Sequence, residues 1–578
     1  MENMQPENHS KNKRKIVIFS AFLSLLVVAT VSIPFANHHT SDAGRLLRSA
    51  CAAVLYPELC LSTSFVTPAV VRSTCAATLY PELCLTTLDA AAPGAAAAKT
   101  SRDVLITSMN STISTAGGNL ITVQKAERRL RQSLTARQKA ALCDCLQMAD
   151  ATLEVLRLAE AELVGFGSEG YSLDAHKDNL LTYLSAAQTN QDTCLDGADE
   201  QVRDLLVAGH KHVFRLASNV MAIIKNLSDA ADEAAPRLKS RAREEWPEWL
   251  SEGDRLLLQA TAVNADVTVA ADGSGNYRTV AEAVAAAPAG SSQRYVIAIK
   301  AGVYRENVKI DKNKKNLMFV GDGRLTTIIT ASKNYIDDGS TYNSATVAVE
   351  GCGFLARDIT FQNAAGPYKE QAVALRVSAD FTAFYACSML AYQDTLYVHS
   401  LRQFYTQCVI VGTVDFIFGN AAVVLQNCDI KPRVPKPGQQ NMVTAQGRTD
   451  PNQNTGIVIQ KSTITANNDL EPVQDSYPTY LGRPWQQYSR TVVMQNQISD
   501  VIVPAGWHPW NDSDFALNTL FYAEYKNTGK GAATGGRVKW KGFHVLTRDD
   551  EAQPFTAGEF INDGDWLQGT GFPVSLGL

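Results

Sequence analysis

The chain has 578 residues, of which 45% are hydrophobic and 19% charged, and a formal net charge of −5. The length favours two domains, the composition argues against a disordered chain, and no basic surplus suggests nucleic-acid binding. The eleven cysteines include no zinc-type CxxC pair set, and the Cys143–Cys145 spacing does not suit a tetrahedral metal site.

The N-terminal 40 residues have the pattern of an export segment. A basic stretch, 11–15, precedes a largely apolar run from Ile16 to Ala36. This order is typical of a signal peptide or a signal anchor, and the run is just long enough to span a bilayer. We assign 1–40 to a basic n-region and one of these two segments, which would deliver the rest to an oxidising compartment. Three sequons are then candidate glycosylation sites: Asn110, Asn226 and Asn511.

Residues 41–235 have the pattern of a helix bundle. They are rich in Ala, Leu, Glu, Gln and Arg, with apolar residues at three- and four-residue steps. A ten-residue segment, Cys51–Cys60, recurs almost unchanged as Cys75–Cys84. Each copy holds two cysteines around a Tyr-Pro pair, and this spacing suits a local disulfide hairpin.

This half resembles the plant invertase and pectin methylesterase inhibitor family, an all-α helical bundle with two disulfides. The resemblance implies the pairs Cys75–Cys84 and Cys145–Cys194, with Cys143 and the Cys51–Cys60 hairpin as additions. The duplication leaves open which hairpin takes the usual first position. A purely structural pro-segment is the alternative to an inhibitory domain.

Residues 236–261 have the composition of a linker. Basic residues at 237–243 are followed by Trp, Pro and further charge, and exposed basic segments between domains are favoured sites of proteolysis. In pectin methylesterases with an inhibitor-like pro-region, similar basic sites are where the pro-region is removed. The dibasic pair is imperfect here, because Asp254 precedes Arg255 and Leu238 separates Arg237 from Lys239.

Residues 262–578 have the pattern of an all-β solenoid. Short runs rich in Val, Ile, Thr, Phe and Tyr are separated by Gly, Asn and Asp, which favours a parallel β-helix over a sandwich. Five such strands are 295–299, 317–320, 345–349, 359–362 and 409–411. One helical piece, Tyr277–Ala287, is expected to cap an open end of the solenoid.

Polar residues recur at a nearly constant step in the middle of this half. The steps from Gln371 to Asp394 and from Asp394 to Asp415 are 23 and 21 residues, as stacked coils would produce. Successive coils lie about 4.8 Å apart, so the three residues are predicted to form a polar row on one wall. Two neighbouring carboxylates differ in proton affinity, so one can act as an acid while the other attacks.

Six motifs then appear in order: Gly302–Glu306, Gly321–Gly323, Gln371–Arg376, Tyr392–Tyr397, Asp415–Gly419 and Leu481–Trp485. Together they resemble the pectin methylesterase family, a right-handed single-stranded parallel β-helix that de-esterifies homogalacturonan. The match spans nearly all of 266–577 and implies the plant type with a pro-region.

The residues argue against a Ser-His-Asp esterase, because the sequence has no Gly-x-Ser-x-Gly motif and its β-half histidines, His399, His508 and His544, lie in no triad pattern. The resemblance implies instead that Asp415 is the nucleophile and Asp394 the proton donor and later base.

The remaining site residues come from the same resemblance. Gln393 and Gln371 supply amide donors for the oxyanion. Arg483 is expected to lower the pKa of Asp415 and, with Trp485, to bind galacturonate, and Thr341 aligns with a substrate contact.

Two further cysteines, Cys408 and Cys428, are predicted to stack on successive coils and to form a disulfide that braces the wall carrying Asp415. Cys352 and Cys387 are interpreted as buried thiols.

The sequence predicts no metal and no organic cofactor. The expected partner is methyl-esterified homogalacturonan, with separate inhibitor proteins of the same helical family as further candidates. The processed enzyme is expected to be a monomer secreted to the cell wall.

A glycoside hydrolase acting on the same polymer is a competing hypothesis, because paired carboxylates also suit that chemistry. It would produce new reducing ends in place of methanol. A non-catalytic polysaccharide-binding or inhibitor-only protein is the second alternative.

Overall fold

A computed structural model describes residues 69–91, 100–130, 132–168, 170–234, 264–561 and 566–578. An N-terminal helical part is followed by a parallel β-helix, so the predicted fold class is confirmed. The export segment, the Cys51–Cys60 hairpin and the linker at 236–261 lie outside the described residues. Among the helices within those ranges, none has the length and apolar character needed to cross a membrane.

The helical part is a bundle of long helices preceded by a short hairpin. Apolar faces meet in a core that includes Leu105, Leu156, Leu184 and Val220. The helices are α1 Ala69–Ala76, α2 Pro81–Ala91, α3 Ser101–Leu130, α4 Ala136–Glu162, α5 Leu173–Gly197 and α6 Glu200–Ala234.

Both disulfides implied for this part are confirmed. Cys75–Cys84 joins α1 to α2, and Cys145–Cys194 joins α4 to α5 across 49 residues of sequence. Cys143 is exposed and free. The second bridge connects α4 and α5, the two helices that contact the β-helix.

The β-helix consists, over the residues described, of three sheets in which every strand pair is parallel. Each regular coil contributes one strand to each sheet.

The long sheet contains β1 Val267–Val269, β2 Tyr295–Ile299, β5 Leu317–Gly321, β8 Leu355–Arg357, β11 Thr382–Tyr385, β14 Arg402–Thr406, β17 Ala422–Gln426, β20 Gly456–Gln460, β23 Arg490–Met494, β25 Phe521–Tyr525 and β26 Phe543–Val545. The third sheet contains β3 Gly302–Arg305, β6 Thr327–Ala331, β9 Thr360–Asn363, β12 Ser388–Leu390, β15 Val409–Gly412, β18 Asp429–Pro432, β21 Thr463–Ile464 and β24 Gln497–Ile498.

The remaining sheet carries the functional residues, and we call it the site sheet. Its strands are β4 Val308–Ile310, β7 Val347–Val349, β10 Leu375–Val377, β13 Leu396–Val398, β16 Ile417–Gly419, β19 Asn441–Gln446 and β22 Thr479–Pro484. Because side chains alternate across a strand, the two ends of β10 and β13 pack into the solenoid core. The middle residue of each strand, such as Arg376 or Tyr397, is on the opposite face.

The predicted capping helix is present as α7, Val280–Ala286. Thr279 and Glu282 form a capping box, which satisfies free N–H groups of the first turn. The helix therefore begins later than the predicted Tyr277. It buries Val280, Ala283 and Val284 in the core of the solenoid, and so covers apolar groups at one end.

The predicted Cys408–Cys428 disulfide is wrong. Both residues are free and buried, and Cys387 stacks with them, because Ser388, Val409 and Asp429 are in register on adjacent strands. Parallel strands set such positions about 4.8 Å apart with parallel side chains, whereas a disulfide needs Cβ atoms about 3.5–4.5 Å apart. Cys387 is a buried thiol as predicted, but Cys352 is only partly buried.

The three candidate glycosylation sites are all exposed and remain predictions. Asn110 lies on α3, Asn226 on α6, and Asn511 in a short 3-10 turn after the site sheet.

Candidate active site

Asp394 and Asp415 occupy equivalent positions on adjacent coils. Leu396 of β13 is opposite Ile417 of β16, and each aspartate lies two residues before its strand. The Asp394 N–H donates to the Val414 carbonyl at 3.0 Å. Both aspartates are buried and have φ values of +63° and +52°, an uncommon region for residues other than glycine and one often found at active sites.

Gln371 does not share this register. Leu375 is opposite Leu396, so the residue level with Asp394 is Val373, and Gln371 lies two positions earlier. The predicted row is therefore a pair of carboxylates with an amide beside it. The Gln371 side-chain oxygen is buried without a hydrogen-bond partner among the described residues, so this oxygen can accept a hydrogen bond from a substrate hydroxyl.

Asp415 forms a bidentate ion pair with Arg483. Arg483 on β22 donates from Nε and Nη2 to the two carboxylate oxygens at 2.8 and 2.7 Å. The guanidinium carbon lies 4.4 Å from the centre of the Trp510 ring. This geometry fixes the orientation of the Asp415 carboxylate.

Asp394 has the opposite environment. Burial raises its pKa well above the usual range, the negative charge of Asp415 raises it further, and Arg483 opposes both effects. The two carboxyls therefore lie in different electrostatic environments.

All of the predicted site residues line one cavity of about 340 Å³: Thr341, Gln371, Gln393, Asp394, Asp415, Arg483 and Trp485. Four of the six motifs, those at 371–376, 392–397, 415–419 and 481–485, thus meet at this cavity, although they are spread over more than a hundred residues of sequence.

An aromatic strip along the site sheet was not predicted. Tyr397 stacks on Phe418 with ring centres 4.1 Å apart, and Phe418 lies 6.1 Å from Trp485. Tyr397 and Phe418 are the middle residues of paired strands. Their common position was readable from the 21-residue step that relates the two aspartates.

The helical part closes the same cavity, and this was also not predicted. Four of its residues contribute to the lining: Asp144, Thr193, Asp196 and Gly197. Thr193 on α5 hydrogen bonds to the buried His399 ring at 2.9 Å, and Thr449 donates to Asp192 at 2.9 Å. His399 is thus part of the domain contact, in agreement with the absence of a triad pattern around it.

Contacts continue beyond the cavity. Asn420 donates to Thr189 at 2.9 Å, and Lys312 on the β-helix pairs with Asp150 and Glu154 of α4 at 2.5 and 3.2 Å. Helices α4 and α5 therefore lie across the site sheet.

Three carboxyl groups of the helical part have raised pKa values at this contact. Burial raises the pKa of Asp144 to about 6. The side chain of Asp196 is 40% exposed, and local desolvation, opposed by the charge of Arg203, raises its pKa to about 6. Burial, with the charge of Asp196, raises the pKa of Asp192 to about 8. We therefore expect the domain contact to depend on pH.

Comparisons with known proteins agree with this site. The Pectinesterase family model matches residues 266–565, and the Plant invertase/pectin methylesterase inhibitor model matches residues 69–223. The chain is 58% identical over 547 residues to Pectinesterase 3 of Citrus sinensis, covering 92% of this chain and 88% of the relative. It is 52% identical over 616 residues to Pectinesterase/pectinesterase inhibitor 3 of Arabidopsis thaliana, covering 100% and 99%.

A solved structure, pectin methylesterase from carrot, is 69% identical to the aligned part, with a TM-score of 0.54. The alignment covers 55% of this chain and 100% of the carrot chain, so in carrot the β-helix part forms a folded protein by itself. From these matches, this chain belongs to the pectinesterase family of carboxylic ester hydrolases, with an inhibitor-family domain ahead of the esterase domain.

Proposed function

We propose that the β-helix hydrolyses galacturonate methyl esters in pectin, with Asp415 as nucleophile and Asp394 as proton donor and base. The main support is the asymmetric carboxyl pair. Asp415 is bound by both nitrogens of the Arg483 fork, while Asp394, on the next coil, has a strongly raised pKa.

In the first step an Asp415 oxygen attacks the ester carbonyl carbon and forms a tetrahedral oxyanion. The side-chain amides of Gln393 and Gln371 stabilise this oxyanion, an interaction worth about 2.7–4 kcal/mol for one donor in other enzymes. The C–O bond to the methoxy group then breaks, and Asp394 transfers its proton to that oxygen. Methanol leaves, and the galacturonyl group remains on Asp415 as an anhydride.

In the second step Asp394, now ionised, removes a proton from a water molecule. The resulting hydroxide attacks the galacturonyl carbonyl, and Asp415 leaves as a carboxylate. The products are free galacturonate and the starting enzyme with a protonated Asp394, so no metal or organic cofactor is required.

Substrate binding is assigned to the cavity walls. Trp485, with the aromatic strip, offers an apolar surface for a sugar ring. Thr341 adds a hydroxyl beside the carboxyl pair, and Arg483 contributes positive charge for galacturonate. The substrate is methyl-esterified homogalacturonan.

We further propose that the helical domain, 41–235, inhibits the enzyme until the linker at 236–261 is cut. The contact of α4 and α5 with the active-site cavity supports this role. The segment 1–40 would direct export to the cell wall, where the processed 262–578 enzyme acts as a monomer. Free inhibitor proteins of the same helical family would bind the same face.

Methanol release by residues 262–578 from methylated pectin tests the catalytic assignment. We expect Asp415→Asn to reduce kcat by more than about 10⁴-fold, the scale of a lost nucleophile, and Asp394→Asn by about 10²–10⁴-fold. Asp429→Asn changes an exposed aspartate on the third sheet and serves as the control. Variants at Asp394 and Asp415 that release methanol at the unmodified rate would refute the mechanism.

Adding back the helical segment tests its role. We expect residues 69–234 to suppress methanol release by 262–578, and the uncut chain to be less active than the cut one. Equal methanol release by residues 262–578 alone, by the same residues with 69–234 added, and by the uncut chain would refute inhibition.

A further inference from the structure

Asp144 of the helical domain is bound in a specific site on the β-helix. It lies on α4 and is 3% exposed. One carboxylate oxygen accepts a hydrogen bond from the Ser340 hydroxyl at 2.6 Å, and the other accepts from the Asn343 side-chain amide. Both oxygens of a carboxylate are therefore held by donors from one turn of the esterase domain.

This turn belongs to the esterase cavity. Ser340 lines the cavity together with Thr341 and Tyr342, and its hydroxyl also accepts from the Asn343 N–H at 3.0 Å. The backbone of the turn thus fixes the spacing of the two donors without help from the helical domain.

A buried cation lies behind the donors. Arg376, in the middle of β10, is fully buried. Burial raises the pKa of Asp144 to about 6, and the hydrogen bonds from Ser340 and Asn343 and the charge of Arg376 act against that rise. Arg376 pairs with Glu350 at 3.0 Å, and its guanidinium carbon is 3.5 Å from the centre of the Tyr342 ring. Its Nε has no hydrogen-bond partner among the described residues.

We propose that Ser340 and Asn343, backed by Arg376, form a carboxylate-binding subsite of the esterase cleft, and that Asp144 occupies it in place of a galacturonate carboxylate. The ligand is a free galacturonate unit of partly de-esterified pectin, so the inference rests on the proposed function. Removal of the helical domain opens the subsite to the polymer.

The subsite gives the enzyme a preference among its own substrates. Each turnover creates one free carboxylate, and a chain with such groups gains a contact that a fully esterified chain lacks. Binding should therefore strengthen as de-esterification proceeds along a chain.

Binding without turnover tests the subsite. Residues 264–578 are titrated with a fully de-esterified galacturonate hexamer in a calorimeter. We expect Asn343→Asp, which replaces a donor by a like charge at nearly constant volume, to weaken binding by about tenfold or more. Asn468→Asp adds the same charge on an exposed loop and should bind as the unmodified protein does. An unchanged affinity in Asn343→Asp, with an unchanged unfolding temperature, would overturn the proposal.

The full chain provides the reciprocal test. We expect Asp144→Asn, and separately Asn343→Asp, to relieve inhibition and so to increase the methanol release of the uncut chain. Combining the two substitutions again places an amide opposite a carboxylate and should restore the inhibited state of the uncut chain. After cutting, the enzyme carries Asn343→Asp alone and should still bind the hexamer weakly. Glu160→Gln, on an exposed position of α4, is the control.

The two proposals fail separately. If the unmodified cut enzyme releases methanol but hexamer binding does not depend on Asn343, only the subsite is wrong. If it releases no methanol, the proposed function is wrong, and with it the identification of the ligand as an enzyme product.

Discussion

Two aspartates with the same side chain have different chemistry because their neighbours differ. Asp415 faces the Arg483 guanidinium at 2.7–2.8 Å, whereas Asp394 is buried beside the Asp415 charge. Transfer from water disfavours the ionised form, and an adjacent cation favours it. In the proposed mechanism, Arg483 is therefore the residue that separates the roles of the two carboxyls.

We predict that Arg483→Lys reduces kcat/KM by about 10- to 100-fold. A lysine keeps the charge but cannot reproduce the two parallel hydrogen bonds that orient Asp415, and a hydrogen bond to a charged group contributes about 1.5–3 kcal/mol. Methanol release by residues 262–578 is the measurement. Arg548→Lys, at an exposed surface pair with Asp550, is the control, and equal losses in both variants would contradict the prediction.

At this scale the sequence predicted residues within motifs and missed those that arrive from elsewhere. Asp394, Asp415 and Arg483 were accessible because each lies in a recognisable segment. Trp510, which covers Arg483, comes from a loop after the site sheet. Asp144 comes from another domain, and no spacing in the sequence relates it to Asn343.

The strand period explains both a success and an error at the level of elements. Residues one coil apart are stacked, which correctly brought Asp394 beside Asp415. The same stacking suggested a disulfide between Cys408 and Cys428. It failed there because stacked side chains run parallel at the strand spacing, slightly beyond the reach of an S–S bond. Gln371 was misplaced in register because it lies four residues before β10, whereas each aspartate lies two residues before its strand; the step between these strands is 21 residues in both coils.

We predict that residues 264–578, unfolded in denaturant without a reducing agent, react with four equivalents of an alkylating reagent. The segment contains four cysteines, Cys352, Cys387, Cys408 and Cys428, all free thiols. Mass spectrometry of the alkylated protein gives the count directly. A gain of only two equivalents, rising to four after reduction, would establish a disulfide. The reduced sample of the same protein serves as the reference.

At the scale of the whole molecule, the two domains meet through groups that water would ionise. Asp144, Asp192 and Asp196 have pKa values of about 6, 8 and 6 in the docked state, against about 4 for an aspartate in water. Between about pH 4 and about pH 8, the docked state binds more protons than the separated domains. Raising the pH through this window therefore weakens docking.

We predict that inhibition of residues 262–578 by residues 69–234 is at least about tenfold weaker at pH 8 than at pH 4.5. Asp144, which is buried and has a shift of about two pKa units, can by itself contribute at most about a hundredfold. Asp192 adds to this effect, and the exposure of Asp196 reduces its share. Inhibition constants measured across this range provide the check. The double variant Asp144→Asn, Asp192→Asn should flatten the pH dependence, and a slope that it leaves unchanged would contradict the assignment.

The two-domain arrangement was predictable, but the docking was not. Composition and periodicity separate a helical half from a β half, because each pattern is local. The contact of Lys312 with Asp150 and Glu154 joins residues about 160 positions apart on surfaces that each look like ordinary solvated faces. Only the complementarity of the two folded surfaces identifies them as an interface.

The position of Asn511 has a consequence for how the protein should be produced. This sequon residue is exposed and directly follows Trp510, whose ring covers Arg483 at the cavity. A glycan attached to Asn511 would lie at the entrance of the cleft and would sterically hinder the binding of a polymer. Protein from a bacterial host, which leaves such asparagines bare, would then accept long pectin chains more readily than protein from a plant host.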